Sequence, residues 1–356
     1  MAEVSMEDRI YRHEAKPQPA ENPPGMIVEA FGLGKCKKLV QQVRDELLLV
    51  RVNALRVLCE EFKNPAIIAG CAKAGLMSTL PEMVLDADLD TRKYSSKAIA
   101  YAARDYNGRT ALLQERAPET LFPALDDDSV DVRRNVYEAL ANASTTGPGT
   151  RALVGAGYPV KLVGKAVEET SELQPLALLV LRNVIRNEEG LQDALRASLV
   201  EALISLLSEE KPPEVKRDAS RTLGLACFDD MAKIIAIHND GVSVLAGLMA
   251  SPACGVRSAA MGALMMITTV DAGKRAIAST SAAEEVVKAL RSREPDDVLI
   301  LNALKLVASI TVHPDIRVEL KENEDCLPTL RALEESADPL IAHHAAIALE
   351  AVLWEP

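Results

Sequence analysis

One pattern, V-R-x-x-A-x-x-x-L, returns so regularly that it limits what this chain can fold into. Anchored on Ala54, it recurs with conservative exchanges at Ser95, Val136, Ala177, Ala219, Ala260, Ala303 and Ala345, in steps of 41, 41, 41, 42, 41, 43 and 42 residues. Four residues after each anchor stands an apolar side chain: Leu58, Ile99, Leu140, Leu181, Leu223, Leu264, Val307 and Leu349. Positions four apart share one face of a helix. The small anchor lets a neighbouring helix approach, and the aliphatic residue one turn later fills the seam. A single unit cannot bury such a face alone, so the units must stack.

Each anchor helix is preceded by a second apolar segment, as in KKLVQQV, STLPEMVL, ETLFPAL, VKLVGKAV, EALISLL, SVLAGLM, EEVVKAL and PTLRALE. A shorter helical segment follows it, as in NPAIIAGCAKAG, NGRTALLQERA and GPGTRALVGAG. Prolines 175, 213, 252, 295 and 339 fall close to the starts of anchor helices, where a missing N–H is harmless. Three helices in roughly 42 residues predict an all-α, right-handed superhelical armadillo-repeat solenoid of about eight units rather than the two-helix HEAT arrangement. The composition agrees: 48% hydrophobic residues with only 3% aromatics suits small interlocking helices. The solenoid is expected to span residues 30–356, with Trp354 and Pro356 closing its C-terminal end. Residues 1–29, which carry Pro17, Pro19, Pro23 and Pro24 and charges of both signs, read as an extended or disordered arm.

The formal charge of −12 argues against a nucleic-acid surface, which needs a basic face, and favours protein partners. No apolar run approaches the roughly 20 residues of a membrane span, and the N-terminus is unlike a signal peptide. The six cysteines form no CxxC pair and fall mostly in apolar helical patterns, which points to buried free thiols in a reducing, cytoplasmic setting.

Motifs for chemistry are missing. Gly32, Gly34 and Lys35 lack the upstream glycine and the following Ser or Thr of a phosphate loop, and Gly273 with Lys274 fails in the same way. His343 and His344 are adjacent, so a helix aims them about 100° apart, and His13, His238 and His313 lie in other segments. Asn142 to Ser144 matches a glycosylation acceptor inside a helix, a coincidence of composition. The reading is a non-enzyme with no cofactor, metal or small-molecule substrate.

Two columns of the repeat remain informative. Three residues before the anchor stand Arg51, Arg92, Arg133, Lys216 and Arg257, broken by Gln174, Ile300 and Ala342, often with acids just upstream. They read either as pairs or caps holding the turn within a repeat, or as a basic stripe for an acidic partner. Two and six residues after the anchor lies the expected groove. In importin-α-type armadillo proteins a Trp and an Asn repeat there, whereas this chain has no Trp and only Asn142 and Asn183, so a nuclear-import receptor is not expected. The groove reads as polar and partly basic toward the N-terminus and apolar toward the C-terminus, where Met265 joins the groove residues. Its candidate partner-binding residues are Arg56, Lys97, Tyr101, Asn142, Asn183, Arg221, Leu225 and Met266.

The stretches LVQQVRDELLLVRVNALRVLCEEFKNP, DVRRNVYEALANAS and GALMMITTVDAGKRAI resemble the armadillo-repeat radial spoke protein family of motile cilia and flagella, in step from about Ala30 to the final LWEP. That resemblance implies a non-catalytic scaffold in the axoneme, with other radial spoke subunits and axonemal proteins as partners. The alternative is a soluble armadillo adaptor that binds a flexible peptide in trafficking or signalling.

Overall fold

The computed structural model describes residues 34–292 and 296–355. The expected arm at 1–29, Gly32, His13, Pro295 and Pro356 lie outside the described residues. Among those described there is no strand, and the helices fall into eight successive units. Units 2 to 8 each show three helices. In unit 2 these are Pro65–Lys73, Leu76–Met83 and Leu89–Arg104. Unit 1 contributes Gly34–Val43 and Leu48–Glu61, and unit 8 ends with Pro339–Leu353.

Every anchor from Ala54 to Ala345 is buried, and so is every residue four further on, except Leu349, which is half-buried in the last unit. Third helices therefore pack against third helices of the adjoining units, with the second helices alongside them, and one continuous core runs through the stack. The prolines act as expected: Pro213 and Pro339 open their helices and Pro175 is the second residue of Gln174–Val184. The segment ETLFPAL departs from the expected single helix. It splits into Ala117–Leu121 and a 3₁₀ turn, Phe122–Asp126, where Pro123 has no N–H to continue an α-helix.

Local chemistry starts each first helix. Asn64, Asp105, Thr146, Asn187 and Asp229 stand at the start of units 2 to 6, and each side chain accepts a backbone N–H from the first turn. Between the first and second helices of the same units the backbone turns through a left-handed residue, Gly75, Arg116, Gly157, Ser198 or Asp240.

The basic column is structural, and its chemistry runs further than a bond within one repeat. Arg51 Nη1 donates to the carbonyls of Asp45 and Glu46 at 3.1 and 3.0 Å, Arg92 Nη1 to those of Asp86 and Ala87 at 3.1 and 3.0 Å, and Arg257 Nη1 to those of Ser251 and Pro252 at 3.0 and 3.2 Å. Each guanidinium thus caps the turn between the second and third helices of its own unit. The same side chains reach the next unit: Arg92 Nε meets Asp127 at 2.7 Å, Arg133 Nε meets Glu169 at 2.9 Å, and Arg51 lies 3.9 Å from Asp86. These acids belong to the following repeat, so the N-terminal units are joined by a ladder. Gln174 ends it, donating instead to the carbonyls of Ala166 and Val167 at 3.0 and 3.3 Å.

Candidate partner-binding groove

The third helices place the residues two, five and six after each anchor on one face, and the candidate residues divide along it into two groups. In units 1 to 3 the cations are engaged by neighbours. Arg56 reaches Asp90 at 3.3 Å and lies over the Tyr94 ring at 4.9 Å, and Arg104 bonds Glu138 at 2.8 Å while lying 5.2 Å over Tyr101. Lys97 covers the same Tyr101 ring at 5.9 Å. The two asparagines are also committed: Asn142 Nδ2 donates to the Glu138 carbonyl at 2.7 Å, and Asn183 Nδ2 to Ser144 Oγ of the preceding unit at 3.0 Å. Ser309 and Thr268 repeat that inter-unit bond at 2.9 Å.

Arg221, Leu225 and Met266, by contrast, line one groove of about 360 Å³ across units 4 to 7. It also contains Arg182, Arg186, Phe228 and Val298, which the two scanned columns had missed. Basic and apolar groups converge here, rather than separating into opposite halves of the groove. Gly262, two after its anchor, lies on the floor of this groove, where the equivalent residues of the neighbouring units are Arg221 and Lys305. A Cβ on Gly262 would stand 3.2 Å from Asn302 Nδ2, and one on Gly224 would stand 3.1 Å from Ala263 Cα, so the third helices approach closely at this point.

Below the groove, Asp218 is nearly buried and shared by three cations: Arg217 at 2.9 Å, Arg182 at 3.4 Å and Arg221 at 3.8 Å. Burial pulls the Arg182 guanidinium below its usual range; Asp218 opposes this, and the positive charges of Arg221 and Arg186 add to it. Arg186 is exposed and makes no ion pair among the described residues. One buried carboxylate thus stands against three guanidiniums below the groove, while Glu188 and Asp229 border Arg186 and Phe228 at its rim.

A third column, nine after the anchor, would have found Arg186 and Phe228. It reads Lys63, Arg104, Thr145, Arg186, Phe228, Thr269, Val312 and Trp354. Phe228, Val312 and Trp354 are 68%, 58% and 54% exposed. Val312 and Trp354 line a second groove with Ile347 and Ala351, which are the residues two and six after the last anchor.

No group of three or more His, Cys, Asp or Glu side chains among the described residues could hold a metal, and no described helix is long and apolar enough to cross a membrane. None of the six cysteines forms a disulfide; Cys59, Cys71, Cys227 and Cys326 are buried, whereas Cys36 and Cys254 are half-buried.

The three-helix unit, its stacking through third helices and the groove along them define an armadillo-repeat solenoid. The crystal structure of an engineered protein matches it with a TM-score of 0.80 at 26% identity, covering 91% of this chain and 79% of that one. A designed armadillo repeat protein matches with a TM-score of 0.59 at 24% identity, covering 65% of this chain and 99% of its own length. In sequence the chain is similar to Radial spoke protein 14 of Chlamydomonas reinhardtii, with 28% identity over 248 residues. That match takes in 66% of this chain and 64% of the relative, so it spans less than two thirds of the relative's length. No protein-family model matches the chain.

Proposed function

We propose that this protein is a non-catalytic scaffold subunit of the radial spoke, held in the axoneme of motile cilia or flagella through other spoke subunits and axonemal proteins. The similarity to Radial spoke protein 14 carries this reading. The solenoid supports it physically: each unit touches only its neighbours, so the stack can bend elastically while its groove and edges hold elongated partners. The inter-unit ladder of Arg51, Arg92 and Arg133 suits a part that transmits load.

The test is mass spectrometry of what co-purifies with a tagged copy from high-salt extracts of demembranated cilia. Spoke subunits recovered in fixed ratio support the scaffold. Release of the protein alone at modest salt would instead favour a soluble adaptor that exchanges peptides. The exposed Phe228 beside Arg186 and Arg221 favours that second reading, since it offers a peptide both an apolar and a charged contact.

A further inference from the structure

Resting on the reading of this chain as a protein-binding scaffold, the charge and spacing of the groove indicate the chemistry of its occupant. Arg182, Arg186 and Arg221 gather over units 4 and 5, where Asp218 faces Arg182 and Arg221, Asp296 also acts on Arg221, and Glu188 and Asp229 stand beside Arg186 and Phe228 at the rim. On the same face the exposed apolar residues Phe228, Val312 and Trp354 follow in units 5, 7 and 8, and Glu350 is the acid lining that far end. Three guanidiniums cluster in units 4 and 5, whereas the far end is mainly apolar, with Arg317 lying over the Trp354 ring and Glu350 beside it, and this unequal spacing gives the face a direction.

We propose that units 4 to 8 bind an extended segment of another protein that carries carboxylates at one end and bulky apolar side chains at the other. The carboxylates meet Arg182, Arg186 and Arg221, and one apolar side chain enters the groove beside Phe228, Leu225 and Met266. Others seat at Val312 and Trp354. Packed helices stand about 10 Å apart and an extended chain advances about 3.3 Å per residue, so such a segment meets one unit about every three residues and covers the face in about 15. The arginine end governs selection against basic segments, and the apolar end holds the segment once it has docked.

Three fluorescein-labelled peptides of that length test this against the full chain by fluorescence anisotropy. The first carries Asp residues at one end and Phe at every third position of the other; the second replaces Asp by Lys, and the third replaces Phe by Ser. The first should bind at least about tenfold more tightly than either control, and its margin over the Lys peptide should shrink between low and high salt. Arg186→Glu with Arg221→Gln, both exposed, should weaken the first peptide by about tenfold or more with thermal melting held close to the native value, since Arg182 and Arg217 still pair with Asp218. Phe228→Ser should weaken it while leaving the preference for Asp over Lys intact.

Equal binding of the three peptides, or wild-type binding by the double arginine variant, would overturn the proposal. So would a concentration-dependent dimer that is lost in that variant, because the occupant would then be a second copy. Tighter displacement of the probe by a synthetic peptide of residues 1–29 would overturn it in favour of the chain's own N-terminal segment. Rebinding of the double variant to salt-washed axonemes separates this inference from the spoke reading. Full rebinding without peptide selectivity sinks the groove chemistry alone, and selectivity without any wild-type rebinding sinks the spoke reading alone.

Discussion

Glu169 shows at residue scale how the units are joined. Its side chain, 2% exposed, accepts from Arg133 Nε and Nη2 at 2.9 and 3.0 Å and from the Tyr137 hydroxyl at 3.0 Å, across the seam between units 3 and 4. The Glu169 hydrogen bonds hold the Arg133 guanidinium above its usual range. Glu169→Ala leaves a nearly buried cation and a buried phenol without their acceptor, and breaking such a pair costs about 3 to 5 kcal/mol. Urea unfolding measures this; a loss below about 1 kcal/mol would rank the bridge with exposed ion pairs. The buried thiols make a second residue-scale case. Burial pushes the Cys59 and Cys227 thiols from 9.0 up to about 12. The unfolded chain releases these protons near pH 9, whereas the folded chain keeps them to about pH 12. Their contribution to stability is therefore complete below pH 9 and is lost as pH rises from there toward 12. Thermal melting between pH 8 and 11 should show a declining midpoint for the native chain, and a shallower decline for Cys59→Ala with Cys227→Ala; equal slopes would contradict the assignment.

At the scale of single helices, four glycines set how closely each third helix meets the next first helix. Gly108, Gly149, Gly190 and Gly273 each stand thirteen residues after an anchor. A Cβ there would lie 2.3, 1.9, 2.5 and 2.2 Å from the carbonyl oxygens of Ala102, Ala143, Val184 and Ile267. Gly149→Ala must push backbone aside, so it should destabilise by about 1 to 3 kcal/mol. Gly155, in the same helix, has open space around its Cβ position, and Gly155→Ala should instead stabilise by about 0.5 to 1 kcal/mol. Chemical denaturation of the two variants decides this, and equal signs would show that the close approach is not what selects glycine. The apparent phosphate-loop glycine Gly273 is explained by the same contact. The anchors and aliphatic columns were legible in the sequence because burial imposes a helical period on residue choice. The arginine column's capping of its own turn was legible too, but its bonds to the next unit were not, because those acids lie about 35 residues away. The groove was half legible. Arg221, Leu225 and Met266 keep the helical register, whereas Arg186 and Phe228 stand just past the ends of their helices, where that register no longer tells which way a side chain points.

Across the whole molecule, stability in a stack of units is the sum of each unit's own stability and its contacts with two neighbours, so a unit with one neighbour opens first. Unit 8 has a single neighbour among the described residues, and it shows the expected weakness: Leu349 is half-buried where the equivalent residues of units 1 to 7 are buried. It also holds the one tryptophan of the chain, half-exposed beyond its last helix under the Arg317 guanidinium, which lies 4.8 Å from the ring. Arg317 is itself fixed by donating to the Thr311 carbonyl at 3.0 Å. Fluorescence of Trp354 therefore reports unit 8 and its seam with unit 7, whereas circular dichroism at the helical minimum reports all the units. In a urea titration the fluorescence transition should come first, and Arg317→Ala should move it to still lower urea while leaving the main helical transition in place. Coincident transitions in both proteins would mean that the core passing through the stack binds the units into one cooperative block. The solenoid would then carry load as a rigid rod rather than as a spring that yields from its end.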